Sequence, residues 1–258
     1  IFDKTDLIDF AVQRSCLTGL EMDRQGGSVA AFDFLYLPKL HREGYIAPVV
    51  DPDSIVNSPG GYVLDSDPGI YSDVVVFDFK SLYPSIIRTF HVDPLAMIAP
   101  GDERIPGFLE ASFSKSRHIL PQIIEELWQA RDRAKSQQDS AGSQAIKIIM
   151  NSFYGVLGTA GCRFFDARLA SSITRRGHEI LQTTRDLIEE KGYPVIYGDT
   201  DSVFVLMESE AGHVDKAAEQ LAEYLTDWWR QNLASRFEIP SFLELEYETH
   251  FVRFFMPT

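Results

Sequence analysis

The chain has 258 residues, 45% hydrophobic and 24% charged, which allows a sizeable core and argues against disorder throughout. No apolar run is long enough to cross a bilayer and no signal-peptide pattern opens the chain, so neither a membrane partner nor secretion is expected. The formal net charge of −14 argues against a chain that grips nucleic acid along its whole surface; taken alone, it favours an enzyme of small molecules.

The first 47 or so residues carry helical patterning with a polar break at Asp23-Arg-Gln-Gly-Gly27. A loop rich in Pro, Gly and Asp follows from Pro48 to Gly69, containing Pro59-Gly-Gly61. Val74 to Phe79 is predicted to be a short buried strand, and Ser81 to Phe90 a helix that tolerates Pro84 in its first turn. Pro94 to Ser116 fits no single element. From Leu120, apolar residues recur at helical spacing, and a polar break at Gln137 to Ser143 separates this helix from a second reaching about Leu157. The pair is predicted to form a helical hairpin. Ala167 to Lys191 is a further helix stopped by Gly192. A strand, an Asp-Thr-Asp turn and a strand to Met207 come next, then a helix from about Val214 to Ser235. Two aromatic-rich strands, Phe242 to Thr249 and Phe251 to Phe255, are expected at the end. Strands and helices mixed without βαβ regularity predict an α+β fold, an antiparallel sheet with packed helices and an inserted helical hairpin. Cys16 and Cys162 have neither zinc nor redox spacing and are expected to be buried free thiols in a reducing cytoplasm.

Three constellations carry chemistry. In Asp78-Phe-Lys-Ser-Leu-Tyr-Pro-Ser85, an acid ends a buried strand where the chain turns into a helix. The amides of Phe79 to Leu82 would be unsatisfied there and could cradle phosphate oxygens, while Asp78 serves equally well as a helix cap. In Lys147-Ile-Ile-Met-Asn-Ser-Phe-Tyr-Gly155, a helix places Lys147, Asn151 and Tyr154 on one face. Arg131 and Lys135 are also four apart on the preceding helix, and with Arg133 they concentrate the chain's positive charge locally. A solvated helix face is the competing account. In Tyr197-Gly-Asp-Thr-Asp-Ser202, Gly198 is expected to permit a tight turn bringing Asp199 and Asp201 near Asp78. Three carboxylates together are unfavourable unless cations neutralise them, which points to two magnesium ions, with manganese as an alternative. Glu244 and Glu246 share a strand face and either add accessory acids or are simply solvated.

DFKSLYPSI, KIIMNSFYG and YGDTDS resemble, in order and spacing, the three polymerase motifs of family B DNA polymerases. GGYVLDSDPGIY and FLELEYETHF resemble further family segments, and PGGYVLDS, WQARDRAK and ETHFVRFFMPT are most similar to bacterial members. The resemblance implies a palm with an inserted fingers hairpin: residues 1–53 leading into the palm, 54–119 its first part, 120–160 the fingers, and 161–258 its second part. It implies template-directed transfer of deoxynucleotides to a primer 3′-hydroxyl with pyrophosphate release. Asp78 and Asp201 match the metal-bridging acids, Asp199 the weaker third acid, and Phe79 a residue lending backbone to a metal or phosphate. Ser81 and Leu82 match the triphosphate cradle, and Tyr83 the ring under the deoxyribose that would clash with a 2′-hydroxyl. Arg131, Lys135, Lys147 and Asn151 match the fingers residues that hold the triphosphate, and Tyr154 the ring lining the nascent base pair.

The implied partners are primer–template DNA, deoxynucleoside triphosphates and a sliding clamp reached through parts outside this chain, in a nucleoid-associated bacterial setting. The sequence departs from the family in having no exonuclease Asp-x-Glu motif at its start and in stopping at Met256-Pro-Thr258 before the Lys-rich primer-contacting motif. Ser58 replaces a tyrosine often found before the Gly-Gly pair. The expectation is therefore a palm and fingers lacking exonuclease and thumb, which also accounts for the acidic balance. Two rivals stand beside it: an isolated segment that folds and binds nucleotide without polymerising, and some other metal-dependent phosphotransferase.

Overall fold

Leu120, Ile123, Ile124 and Leu127 recur at helical spacing, and in the computed structural model all four are buried on one helix, Leu120–Ser136. The structure describes residues 7–23, 27–50, 60–101, 103–207 and 214–257. The loop around Ser58 and Pro59 that the sequence singled out therefore lies largely outside the described residues. The elements in chain order are α1 (Leu7–Thr18), α2 (Ser28–Arg42), β1 (Gly69–Phe79), α3 (Leu82–Phe90), α4 (Pro94–Ile98), β2 (Arg104–Pro106) and β3 (Ser112–Ser114). They continue with α5 (Leu120–Ser136), α6 (Ser140–Leu157), α7 (Ala167–Glu190), β4 (Val195–Asp199), β5 (Ser202–Leu206), α8 (Val214–Phe237) and β6 (Leu245–Met256). Among the described residues no helix is long and apolar enough to cross a membrane.

The chain folds as two compact units, the first made of Ile1–Ser58 and Phe90–Ile173. Here α5 and α6 pack together, α1 packs on α6, and α2 on both. The helical hairpin is thus embedded among N-terminal helices. The predicted break at Gln137 to Ser143 is shorter than expected because Asp139 caps α6, accepting from Gly142 N at 2.8 Å, so the helix begins at Ser140. Phe32, Tyr36, Phe153 and Phe164 form an aromatic cluster with ring centroids 4.8 to 5.9 Å apart. The stretch that fitted no single element resolves into α4 and a small β2–β3 pair. Asp93 organises it from full burial, accepting from Tyr36 Oη at 2.8 Å, Leu120 N at 2.8 Å and Ala96 N at 2.7 Å. Burial raises its pKa, and these donors counter that rise in part.

The second unit comprises Pro59–Thr89 and Thr174–Thr258. Its sheet is antiparallel throughout, in the order β4-β5-β1-β6. Val75, Phe77 and Phe79 of β1, with Val203 and Val205 of β5, supply a buried face. α8 packs on β6 and β1, and Trp229 Nε1 donates to Thr184 Oγ1 at 3.0 Å, tying α8 to α7. Gly192, at φ 90°, follows the end of α7 as the sequence suggests.

Several expectations are corrected. β1 starts at Gly69, not Val74, because its first residues pair with the far end of β6. The two aromatic strands at the end are one, β6, running through Thr249 and His250. A register shift opposite Val76 and Phe77 takes up Glu248, and pairing then continues to Met256 opposite Gly69. Cys162 is buried as expected, but Cys16 is exposed.

Candidate active site

The strand registers bring distant acids into one row. Asp199 of β4 pairs with Ser202 of β5, Ser202 with Asp78 of β1, and Asp78 with Glu246 of β6. Residues directly opposite one another in antiparallel strands project to the same face, so the row crosses the sheet on one side. Asp201 sits beside Asp199 on the connecting turn, where Phe79 N–H donates to the Asp201 carbonyl at 2.8 Å. Ser202 Oγ donates to Asp78 Oδ2 at 2.6 Å, and Thr200 Oγ1 to Asp199 Oδ1 at 2.8 Å.

The acids also act on one another electrostatically. Burial, and then the carboxylates of Asp78, Asp199 and Glu248, push the Asp201 carboxyl up to about 6. A set of hard oxygen donors that resists shared ionisation is the environment a divalent cation relieves, so the chemistry of these side chains suits such an ion. Among the described residues, however, no three Asp, Glu, His or Cys side chains already converge on one ion position. The hydroxyls of Ser202 and Thr200 each occupy an oxygen of Asp78 and Asp199. Each carboxylate keeps further acceptor capacity, on its second oxygen above all, for an ion.

Other expectations shift at residue level. Phe79 N–H is taken by Asp201, and Lys80 N–H by the Glu244 carbonyl at 3.0 Å, so neither amide is open to phosphate. Ser81, at φ 49°, precedes the first turn of α3, which begins at Leu82. Tyr83 is half-buried in that turn against α7: a Cβ on Gly177 would lie 3.4 Å from Tyr83 Cε1. Gly198 does not supply the turn conformation; Thr200 does, at φ 54°. Glu244 and Glu246 are held by Lys80, whose Nζ lies 3.2 and 3.4 Å from them. Burial lowers the Lys80 pKa, but these two acids outweigh it and raise the group overall. The Lys80 side chain and Glu248 join this region without having been expected from sequence; Glu248 falls in the β6 register shift, which strand alternation does not reveal.

In the first unit, the hairpin presents the expected stripe. Lys147 and Asn151 are exposed on α6 and Tyr154 half-buried, while Ile149, Met150 and Phe153 face the core. Burial raises the Tyr154 phenol. On α5, Lys135 is exposed, and Arg131 Nε is buried with no hydrogen-bond partner, an orphaned donor of the kind a bound anion satisfies.

The sequence model described as DNA polymerase family B matches residues 24–240. DNA polymerase II of Escherichia coli (strain K12) is 52% identical over 100% of this chain and 34% of that protein. A DNA polymerase of Thermococcus gorgonarius is 32% identical over 77% of this chain and 26% of its own length. Among solved structures, the family B DNA polymerase of the hyperthermophilic archaeon Pyrobaculum calidifontis matches with a TM-score of 0.66 and 26% identity, over 96% of this chain and 33% of that one. The chain spans about a third or less of the length of these relatives.

Proposed function

Because the chain belongs to DNA polymerase family B, we propose that it supplies the palm and fingers of a DNA-directed DNA polymerase, adding deoxynucleotides to a primer 3′-hydroxyl with release of pyrophosphate. The observation that carries this reading is the row Asp199–Ser202–Asp78 with Asp201 beside it, its carboxyl pushed up to about 6 by burial and neighbouring acids.

Two magnesium ions, or manganese, held by Asp78 and Asp201 with Asp199 and the backbone of Phe79, would activate the 3′-hydroxyl and neutralise the phosphates. The protein residues orient and select. Ser81 and Leu82 offer the mouth of α3 to phosphate oxygens. Tyr83 is the ring that would exclude a ribose 2′-hydroxyl. Arg131, Lys135, Lys147 and Asn151 bind the triphosphate and stabilise charge as it develops, and Tyr154 lines the base pair. Glu244 and Glu246, engaged by Lys80, set the field at the end of β6 and are not ligands in this reading.

The functional subdivision proposed is 1–53 leading into the palm, 54–119 and 161–258 as palm, and 120–160 as fingers. Primer–template DNA, deoxynucleoside triphosphates and a sliding clamp are the proposed partners, in the bacterial cytoplasm and at the nucleoid. Similarity to polymerases named for bacteria and archaea supports the activity.

The test is primer extension with Asp201→Ala beside the unaltered protein. Extension should vanish while primer–template affinity is retained; equal loss of both would remove the metal role. A second reading, favoured by the chain's spanning about a third of its relatives' length, is nucleotide binding without extension by these residues alone. Nucleotide binding measured beside extension on this chain separates the two.

A further inference from the structure

Two glycines interlock the segment Gly60–Leu64 with the turn that carries Asp199 and Asp201. A Cβ on Gly61 would overlap Thr200 Oγ1 and lie 3.2 Å from Thr200 Cγ2. In return, a Cβ on Gly198 would lie 2.6 Å from Leu64 Cδ1. Each glycine makes room for a side chain of the other segment. Neither has a left-handed φ, so space and not backbone conformation excludes a side chain at both positions. Backbone bonds follow the same seam: Leu64 N–H donates to Gly198 O at 2.8 Å, and Thr200 N–H to Tyr62 O at 2.8 Å.

The turn gripped in this way is a strained one. Thr200 is β-branched and has φ 54°, a conformation that persists only where the surroundings over-determine it. The Tyr62 carbonyl and the Asp199 carboxylate each bond it, and the bare face of Gly61 receives its side chain. The segment is itself anchored. His178 of α7 donates from Nε2 to the Gly60 carbonyl at 2.9 Å, and its ring lies 5.1 Å from that of Tyr62.

We propose that Gly61, Leu64 and His178 are positioning residues: they hold the Thr200 turn, and through it the placement of Asp199 and Asp201, so that the cation affinity of the acidic row depends on this strap. They act through the turn. The proposal rests on the reading of the row as a cation site.

The test is Mn2+ titration of the chain followed by electron paramagnetic resonance, with thermal melting of every metal-free variant. Asp201→Ala serves as the control and should abolish tight Mn2+ binding. Gly61→Ala and His178→Ala should weaken it about tenfold, the loss typical when an outer partner of a metal ligand is removed. His178→Gln, whose amide can still donate to Gly60, should stay within about twofold of the unaltered chain. His178 lies on a helix that accepts alanine readily, so its variants keep the test decisive if Gly61→Ala does not fold. Unchanged affinity in His178→Ala, with binding abolished by Asp201→Ala, overturns the strap and leaves the cation site standing. Mn2+ binding indifferent to Asp201→Ala overturns both. Affinity that falls only in step with melting temperature, without rescue by glutamine, reduces His178 to a stabilising contact and also overturns the proposal.

Discussion

Ser202 Oγ donates a 2.6 Å hydrogen bond to Asp78 Oδ2, and the two residues stand directly opposite each other where β5 pairs with β1. One strand therefore supplies the donor that orients the acid of the other, across 124 residues of sequence.

Hydrogen bonds to ionised groups contribute about 1.5–3 kcal/mol when one end is partly buried. Ser202→Ala should lower the stability of the metal-free chain by about that much. Added magnesium should recover more stability in the variant than in the unaltered chain, because an ion replaces the lost partner of Asp78. Chemical denaturation with and without magnesium measures both. No loss in the metal-free variant would show that the bond is inconsequential.

Asp201 makes stability depend on pH in a definite direction. Its folded pKa of about 6 lies above the ordinary value of 3.8, so the folded chain binds more protons than the unfolded one between these values. The contribution is fully present below the unfolded pKa and is lost as pH rises through about 6. Asp201→Asn should therefore raise the melting temperature of the metal-free chain at pH 7.5 more than at pH 4, and magnesium should shrink the difference at the higher pH. An equal change at both pH values would contradict the charge crowding.

Tyr83 sets a test of sugar selection. Tyr83→Ala should raise the use of ribonucleotides relative to deoxynucleotides, read as the ratio of extension rates or of dissociation constants for ATP and dATP. At Gly177 an added methyl meets Tyr83 Cε1 at 3.4 Å, an ordinary contact, so Gly177→Ala should leave the ratio alone. Gly177→Val, with two further carbons, should move the ring and relax the ratio. An unchanged ratio in Tyr83→Ala removes the sugar-gate assignment.

Lys147 is exposed on α6, so replacing it should change stability by no more than about 0.5 kcal/mol. If it pairs with a triphosphate, the contact is charge-assisted, and Lys147→Ala should weaken dNTP affinity about tenfold or more. Fluorescence titration with a labelled dNTP reads this directly. An unaltered dissociation constant would make the stripe Lys147–Asn151–Tyr154 a solvated helix face.

What was legible in the sequence is what local chemistry dictates. Leu120, Ile123, Ile124 and Leu127 announce α5 by their spacing, and Gly192 marks the end of α7. The acids of the row were legible as residues on strand ends, though their registers were not. What stayed hidden depends on partners far along the chain. His250 falls between the two strands expected from sequence, yet β1 supplies a pairing edge and Glu248 is absorbed in a bulge, so one strand continues. Gly198 looks like a turn residue, but it is glycine because Leu64 presses on it, a fact no spacing reveals. The amides of Phe79 and Lys80 look open until Asp201 and Glu244 arrive from the second half of the chain.

A crystal of the chain soaked with manganese and a deoxynucleoside triphosphate, with the ion located by its anomalous scattering, tests whether Asp78 and Asp201 share a cation. Manganese should be bound by both Asp78 and Asp201. An ion bound elsewhere, touching neither acid while nucleotide is bound, would rule out the shared site.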